Sequence, residues 1–312
     1  MGRRRKKGRP ISGWLVLDKP FDMGSTEAVS KTKWLFQAQK AGHAGTLDPM
    51  ATGILPIAFG EATKTAPYVT DARKTYEFTA KWGAATSTDD AEGDVIAKSD
   101  ARPERAAIIE ALEQFTGEIE QVPPQFSAIK VNGERAYDIA RDGETVALEA
   151  RTILIESLRL IDQPSEDEAR FEAVTGKGAY IRALVRDLAR ALGTEGHVTH
   201  LRRTAVGPFH AGNAVTLEAL EAVETPEDRD AFLASISIAL AGIPHAPVDG
   251  PQTDKLRRGQ PAIIAPPLAK GVRGAQSGAI PAVLAVLHDE PVAICALDGL
   301  KLKPSRVFNL QS

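Results

Sequence analysis

Residues 75–83 alternate strictly: Tyr76, Phe78, Ala80 and Trp82 stand between Thr75, Glu77, Thr79 and Lys81. A period of two predicts a strand with one buried face. Trp14-Leu15-Val16-Leu17 is a short apolar run closed at Asp18-Lys19-Pro20, a strand ended by a proline that cannot extend a ladder. Residues 153–161 and 170–175 predict two further strands. The period then lengthens: Ile181, Leu184, Val185, Leu188 and Leu192 fall on one helical face, with Gly193 as its C-terminal cap. A second helix is predicted after Ser25 and Thr26, which can cap it, with Val29, Leu35 and Phe36 among its apolar positions. Helices interrupt strands without repeating as βαβ units. The class is therefore α+β, with a mixed sheet rather than a doubly wound one.

The punctuation changes between Ala241 and Lys255, where Gly242, Pro244, Pro247, Gly250 and Pro251 predict a linker. Beyond it, apolar runs at 283–287 and 292–297, joined by His288-Asp289-Glu290-Pro291, predict a hairpin in a small β-rich domain. A chain of 312 residues has room for about two domains. The expected division is a mobile basic arm over 1–10, a large domain over 11–244 and a small one over 245–312.

Composition adds exclusions. With 43% hydrophobic and 25% charged residues the chain is an ordinary folded one, without an apolar run long enough to span a bilayer. The basic start lacks the apolar stretch of a secretory signal. A single cysteine, Cys295, rules out an internal disulfide and a thiolate-rich zinc site, and suits the cytoplasm. The net charge of −3 argues weakly against nucleic acid, but it is unevenly spread. Residues 1–10 hold six bases and no acid; 84–121 hold ten acids and three bases; 213–235 hold six acids and one base. Residues 176–203, with six bases and two acids, offer a local surface of the right sign for phosphate. The two acidic segments are expected to face away from any RNA.

The stretch Gly42-His43-Ala44-Gly45-Thr46-Leu47-Asp48-Pro49-Met50-Ala51-Thr52-Gly53-Ile54-Leu55-Pro56 has three glycines and two prolines in fifteen residues, a tight loop rather than a helix. Asp48 precedes a proline, which favours extended or turn geometry and can hold the carboxylate clear of its own backbone. An isolated Asp-Pro usually only opens a turn. No Walker loop, Rossmann glycine pattern or convincing metal cluster accompanies it. His197 and His200 have no obvious third ligand and read as a polar loop. Arg182, Arg186 and Arg190 recur every four residues, the spacing of a surface stripe.

This loop closely resembles the catalytic loop of the TruB family, bacterial synthases that make pseudouridine at position 55 of the tRNA T loop. Further segments match in order: Leu17-Asp18-Lys19-Pro20 with Gly24-Ser25, Gly60-Glu61-Ala62-Thr63-Lys64, Lys74-Thr75-Tyr76, Pro123 through Gly133, Tyr137 through Arg141, Gly178-Ala179-Tyr180-Ile181-Arg182, and Leu201 through Phe209. The match covers roughly residues 11–212. It departs at Val174-Thr175, where a cysteine-serine pair is usual, and at Ala179, where threonine is common.

The resemblance implies the pseudouridine synthase fold, an RNA-gripping insertion over about 122–150 and a PUA-like RNA-binding domain over 245–312. It implies Asp48 as the catalytic carboxylate, acting as nucleophile or as the base that starts elimination at the sugar. Arg182, held apart from the surface stripe by its place in the motif, becomes its bidentate partner. Tyr76 becomes the ring stacked on the target base, Tyr180 and Leu201 the walls of its pocket, and His43 the support for the gap left by a flipped base. Lys19, Lys64, Lys130 and Arg141 are the expected phosphate contacts. The partner is the T stem-loop of tRNA; no cofactor, metal, membrane or obligate protein partner is implied, and a monomer suffices. Two other classes compete: an RNA-binding or RNA-folding protein whose loop is incidental, and a glycosidase-like hydrolase. The first leaves a pocket carboxylate without use. The second needs a second acid in the pocket.

Overall fold

The alternating run forms the strand Lys74–Trp82, which lies between Gly196–Val206 and Glu168–Thr175 and runs antiparallel to both. The computed structural model describes residues 7–127, 130–131, 134–135, 147–265 and 280–310. Tyr76, Phe78, Ala80 and Trp82 are buried, as the alternation requires. Phe78 stacks on Phe171 of the neighbouring strand at 5.4 Å between ring centroids. Each such ring contributes about 1.5–3 kcal/mol through burial.

From one edge, the path of the large sheet is Val215–Thr216, Gly13–Lys19, Thr52–Phe59, Gly196–Val206, Lys74–Trp82, Glu168–Thr175, Arg151–Ser165 and Gly117–Gln121. Two pairings along it are parallel, Gly13–Lys19 with Val215–Thr216 and Thr52–Phe59 with Gly196–Val206; the others are antiparallel. The sheet is thus mixed and largely antiparallel, in an α+β fold. The helix Ile181–Ala191 buries Ile181, Leu184, Val185 and Leu188, and Gly193 beyond it takes a left-handed φ of 71°. That conformation suits glycine at a helix end.

A second sheet of five strands follows the order His245–Pro247, Ile280–Leu287, Glu290–Asp298, Lys301–Val307, Ala262–Ile263. Its hairpin turns through His288 and Asp289, both at positive φ, and Pro291 lies inside the returning strand. Two left-handed residues give a turn whose twist matches that of the strands. An apolar layer including Trp14, Ile54, Phe209, Ile236, Leu284 and Phe308 joins the two sheets.

Four expectations change. The stretch 241–255 is not an open linker, since it contains the strand His245–Pro247 and the start of the helix Gly250–Arg257. Asp249 and Gln252 cap that helix reciprocally, and Pro251 sits in its first turn, where a missing N–H costs nothing. Ser25 does not cap the helix Ser25–Leu35; Gly24 stands at the N-cap. His197 and His200 lie on the strand Gly196–Val206 rather than in a loop. The arm is also not free at its inner end: Arg9 pairs with Glu227 and Asp230 and donates to the Pro226 carbonyl at 2.9 Å. Residues 1–6 lie outside the described residues.

Candidate active site

Asp48 sits on the turn between the strands Ala41–His43 and Thr52–Phe59, which pair with each other. That turn is held from three sides. The Ser25 hydroxyl accepts from the Leu47 N–H and donates to the Leu47 carbonyl, both at 2.8 Å. Lys19 donates to the carbonyls of Pro20, Met23 and Pro49 at 2.9, 2.7 and 3.2 Å. Arg203 donates to Ile54, Thr46 and Gly45 carbonyls at 2.8, 3.2 and 3.0 Å. The residues on either side of Asp48 are therefore fixed before any ligand arrives.

A cleft of about 420 Å³ opens over this turn. His43, Asp48, Tyr76, Tyr180, Arg182 and Leu201 all line it, so the six residues expected at the reacting base are brought together. Tyr76 and Leu201 come from adjacent strands, and Tyr180 and Arg182 from the start of a helix. The Gln121 amide brackets Tyr180, accepting from its N–H at 2.9 Å and donating to its carbonyl at 3.1 Å. Burial, reinforced by the Asp48 charge, raises the Tyr180 phenol above its ordinary pKa.

Arg182 lies between two carboxylates. One guanidinium nitrogen is 2.8 Å from Asp48 Oδ2 and the other 3.4 Å from Asp90 Oδ2. The guanidinium is thus shared between the two carboxylates. The same nitrogens donate to the Thr88 and Phe126 carbonyls at 2.9 Å. Asp90 is held in turn by the Thr88 hydroxyl at 2.5 Å and the Glu92 N–H at 3.1 Å. The Asp48 side chain keeps 33% exposure and that of Asp90 3%, so only Asp48 faces the cleft openly.

This geometry corrects the reading of the acidic segment 84–121 at two positions, its other acids being exposed. Asp89 and Asp90 turn inward behind the site instead of facing away from it. Arg186 is likewise no surface residue: it is largely buried, 2.9 Å from Asp89 and from Asp187, and it donates to the Val122 carbonyl at 2.7 Å. Arg190 is exposed, as a surface stripe requires.

The expected phosphate contacts do not share a common fate. Lys19 is fully buried and its ammonium is given to carbonyls, so it cannot meet a phosphate in this arrangement. Burial lowers its pKa to about 8 despite the nearby Asp48 charge. Lys64 is engaged by Glu61 at 2.6 Å and by the Val307 carbonyl of the second sheet at 2.7 Å. Lys130 lies on a two-residue strand whose backbone pairs with Glu134–Arg135, and Arg141 lies outside the described residues. Among the described residues, no three His, Cys, Asp or Glu side chains group as a metal site. His197 instead contacts the Ala84 carbonyl at 2.8 Å.

The TruB family pseudouridylate synthase N-terminal domain matches residues 33–181, and the tRNA pseudouridylate synthase B C-terminal domain matches 182–240. The protein named tRNA pseudouridine synthase B of Agrobacterium fabrum is 52% identical over 98% of this chain and 97% of its own length. Its namesake in Rhizobium meliloti is 52% identical over 99% of both. The chain belongs to the TruB family of pseudouridylate synthases. The TruB chain also shares its fold with solved structures. A Cbf5-Nop10-Gar1 complex aligns at a TM-score of 0.69 with 24% identity, over 95% of this chain and 84% of that one. An H/ACA RNP bound to a substrate RNA aligns at 0.68 with 21% identity, over 99% and 92%.

Asp90, Arg203, Gln121 and the bonding role of Ser25 were not foreseen in this TruB sequence. Gly53 is a sequence signal for the crossing with Arg203. Its φ of 101°, and the Arg203 carbonyl that any side chain there would strike, show why glycine is needed where the two strands meet.

Proposed function

We propose that this TruB chain converts uridine 55 in the T loop of tRNA to pseudouridine, with Asp48 as its reacting carboxylate. The coarser activity, isomerisation of uridine to pseudouridine in tRNA, is that of its family. The reaction breaks the N1–C1′ bond, turns the base and re-forms the link at C5. A hydrogen leaves C5 and one is returned to N1, so atoms and electrons balance without a redox partner. The observation that carries the reading is the Asp48–Arg182 pair at 2.8 Å on the wall of the Tyr76 cleft.

A stacked base would strip water from Asp48, and the fixed guanidinium offsets that cost for the ionised form. Asp48 then acts at the sugar or base as nucleophile or as the base for elimination. Tyr76 supplies a face on which the uracil can turn, since stacking does not depend on one base orientation. Tyr180 and Leu201 bound the base, and His43 supports the loop the base has left. Flipping costs a few kcal/mol, and contacts to neighbouring phosphates offset it. Lys130 and Arg141 of the insertion remain candidates for those contacts, with Lys64 at the junction of the sheets. We further propose a domain division near residue 245, a PUA-like RNA-binding role for the second sheet, and a monomer working in the cytoplasm.

The test uses unmodified tRNA transcript, the native chain and an Asp48→Asn variant, with pseudouridine mapped by carbodiimide labelling and primer extension. A stop one nucleotide 3′ of position 55, the mark of pseudouridine at 55, is expected with the native chain and none with Asp48→Asn. A stop at another position would overturn the site choice, and equal stops from both proteins would overturn Asp48.

A further inference from the structure

Arg203 stands where the strands of the site meet. On the strand Gly196–Val206 it registers with Tyr76 on one side and with Gly53 on the other. It is 1% exposed, and among the described residues its guanidinium has no carboxylate partner. Its donors go to main-chain carbonyls: Gly45 and Thr46 before Asp48, and Ile54 after it. One rigid fork therefore closes both legs of the catalytic turn, which a lysine, as a point donor, cannot do. Arg203 also lines the cleft itself.

Carbonyl-only bonding is not unique to it. Arg229, also buried, donates to the Leu220 and Leu35 carbonyls at 2.7 and 3.0 Å and to that of Val223, among residues that do not line the cleft. Burying a guanidinium on carbonyls is thus one way this chain ties segments together. What distinguishes Arg203 is the segment it ties. Its backbone fixes the Tyr76 strand and its side chain fixes the Asp48 turn, so one residue sets the separation of carboxylate and ring.

We propose that Arg203 is a positioning residue for the isomerisation, holding Asp48 against the Tyr76 strand while the base turns. The proposal rests on Asp48 being the reacting carboxylate. A purely structural Arg203 would affect stability alone, whereas a positioning Arg203 splits turnover from binding.

The full chain and its Arg203→Ala, Arg203→Lys and Arg229→Ala variants are compared on unmodified tRNA transcript, by single-turnover rate with enzyme in excess and by filter-binding affinity. Both Arg203 variants should react roughly 100-fold more slowly, the scale of a small misplacement, with affinity held within about threefold. Millimolar guanidinium entering from the cleft should restore at least about tenfold of the Arg203→Ala rate, and methylammonium should not, because only the planar fork spans three carbonyls. Arg229→Ala should lose stability and keep its rate, with no response to guanidinium. Should Arg203→Ala not fold, Arg203→Lys carries the same rate and affinity criteria. A folded Arg203 variant at the native rate, equal losses of rate and affinity, or an Arg203→Ala rate that guanidinium leaves unchanged would overturn the proposal. Asp48→Asn, run alongside, separates the two failures. If it is inactive while the Arg203 variants are normal, the positioning role alone falls; if it is active, the reading of the site beneath it falls.

Discussion

The two sheets bury different things. Among the described residues, Lys19, Lys74, Asp90, Arg182, Arg203 and Arg229 are buried charged side chains of the large-sheet region. The second sheet packs Val283, Cys295 and Leu302, and among the described residues Thr253 is the buried polar side chain of that region. Burying a charge costs several kcal/mol unless it is well bonded, so a fold does not place six of them without constraint. Four of the six, Lys19, Asp90, Arg182 and Arg203, bond the Asp48 turn or Arg182, which pairs with Asp48. The second sheet has an apolar core. Even its thiol is quiet, because burial pushes the Cys295 pKa up to about 12.

Substitutions can break this contrast. The largest effect is expected at Asp48, where Asp48→Asn should cut the single-turnover rate by at least ~10³-fold, the scale of losing a reacting group. Arg182→Ala should follow, with a rate loss of roughly 100-fold and a smaller change in tRNA affinity. It should also cost about 3–5 kcal/mol in denaturant unfolding, because Asp90 is left buried without its cation. A loss confined to affinity would contradict the role given to Arg182. In the second sheet, Leu302→Ala should cost about 2–5 kcal/mol through a cavity and leave the rate of the folded fraction unchanged. A slowed reaction there would break the distinction between the sheets.

Smaller effects sharpen it. Lys19 and Lys74 are both lowered to about 8 by burial, against an ordinary value of 10.5. Between those values the unfolded chain binds more protons than the folded one, so these groups make stability rise with pH across that window. Lys74→Met should remove part of that rise, seen as a flatter difference in unfolding free energy between pH 8 and 10. A steeper rise in the variant would contradict the sign. The smallest effect belongs to the exposed pair of Lys177 and Asp71 at 3.2 Å, where Asp71→Asn should change stability by less than about 1 kcal/mol.

The elements of the large sheet were legible wherever one face is buried. The alternation around Tyr76 and the helical spacing from Ile181 each follow from a single side meeting the core. In the stretch 241–255 proline and glycine mark linkers and helix starts alike, and Asp249 with Gln252 decides for a helix. The cleft residues were legible through motifs, but the supports behind them were not. Arg203 and Lys19 bond to carbonyls, which every residue possesses, so no side-chain pattern announces such partners. Arg186 and Asp90 carry the look of a solvated surface. Only long-range packing brings them to Asp89 and Arg182.

The most direct test of the central claim follows the hydrogen that must leave C5. With tRNA carrying tritium at C5 of uridine and enzyme in excess, the native chain should release one tritium per tRNA in a single phase, and Asp48→Asn should release none on that timescale. Release by Asp48→Asn at the native rate would contradict the account.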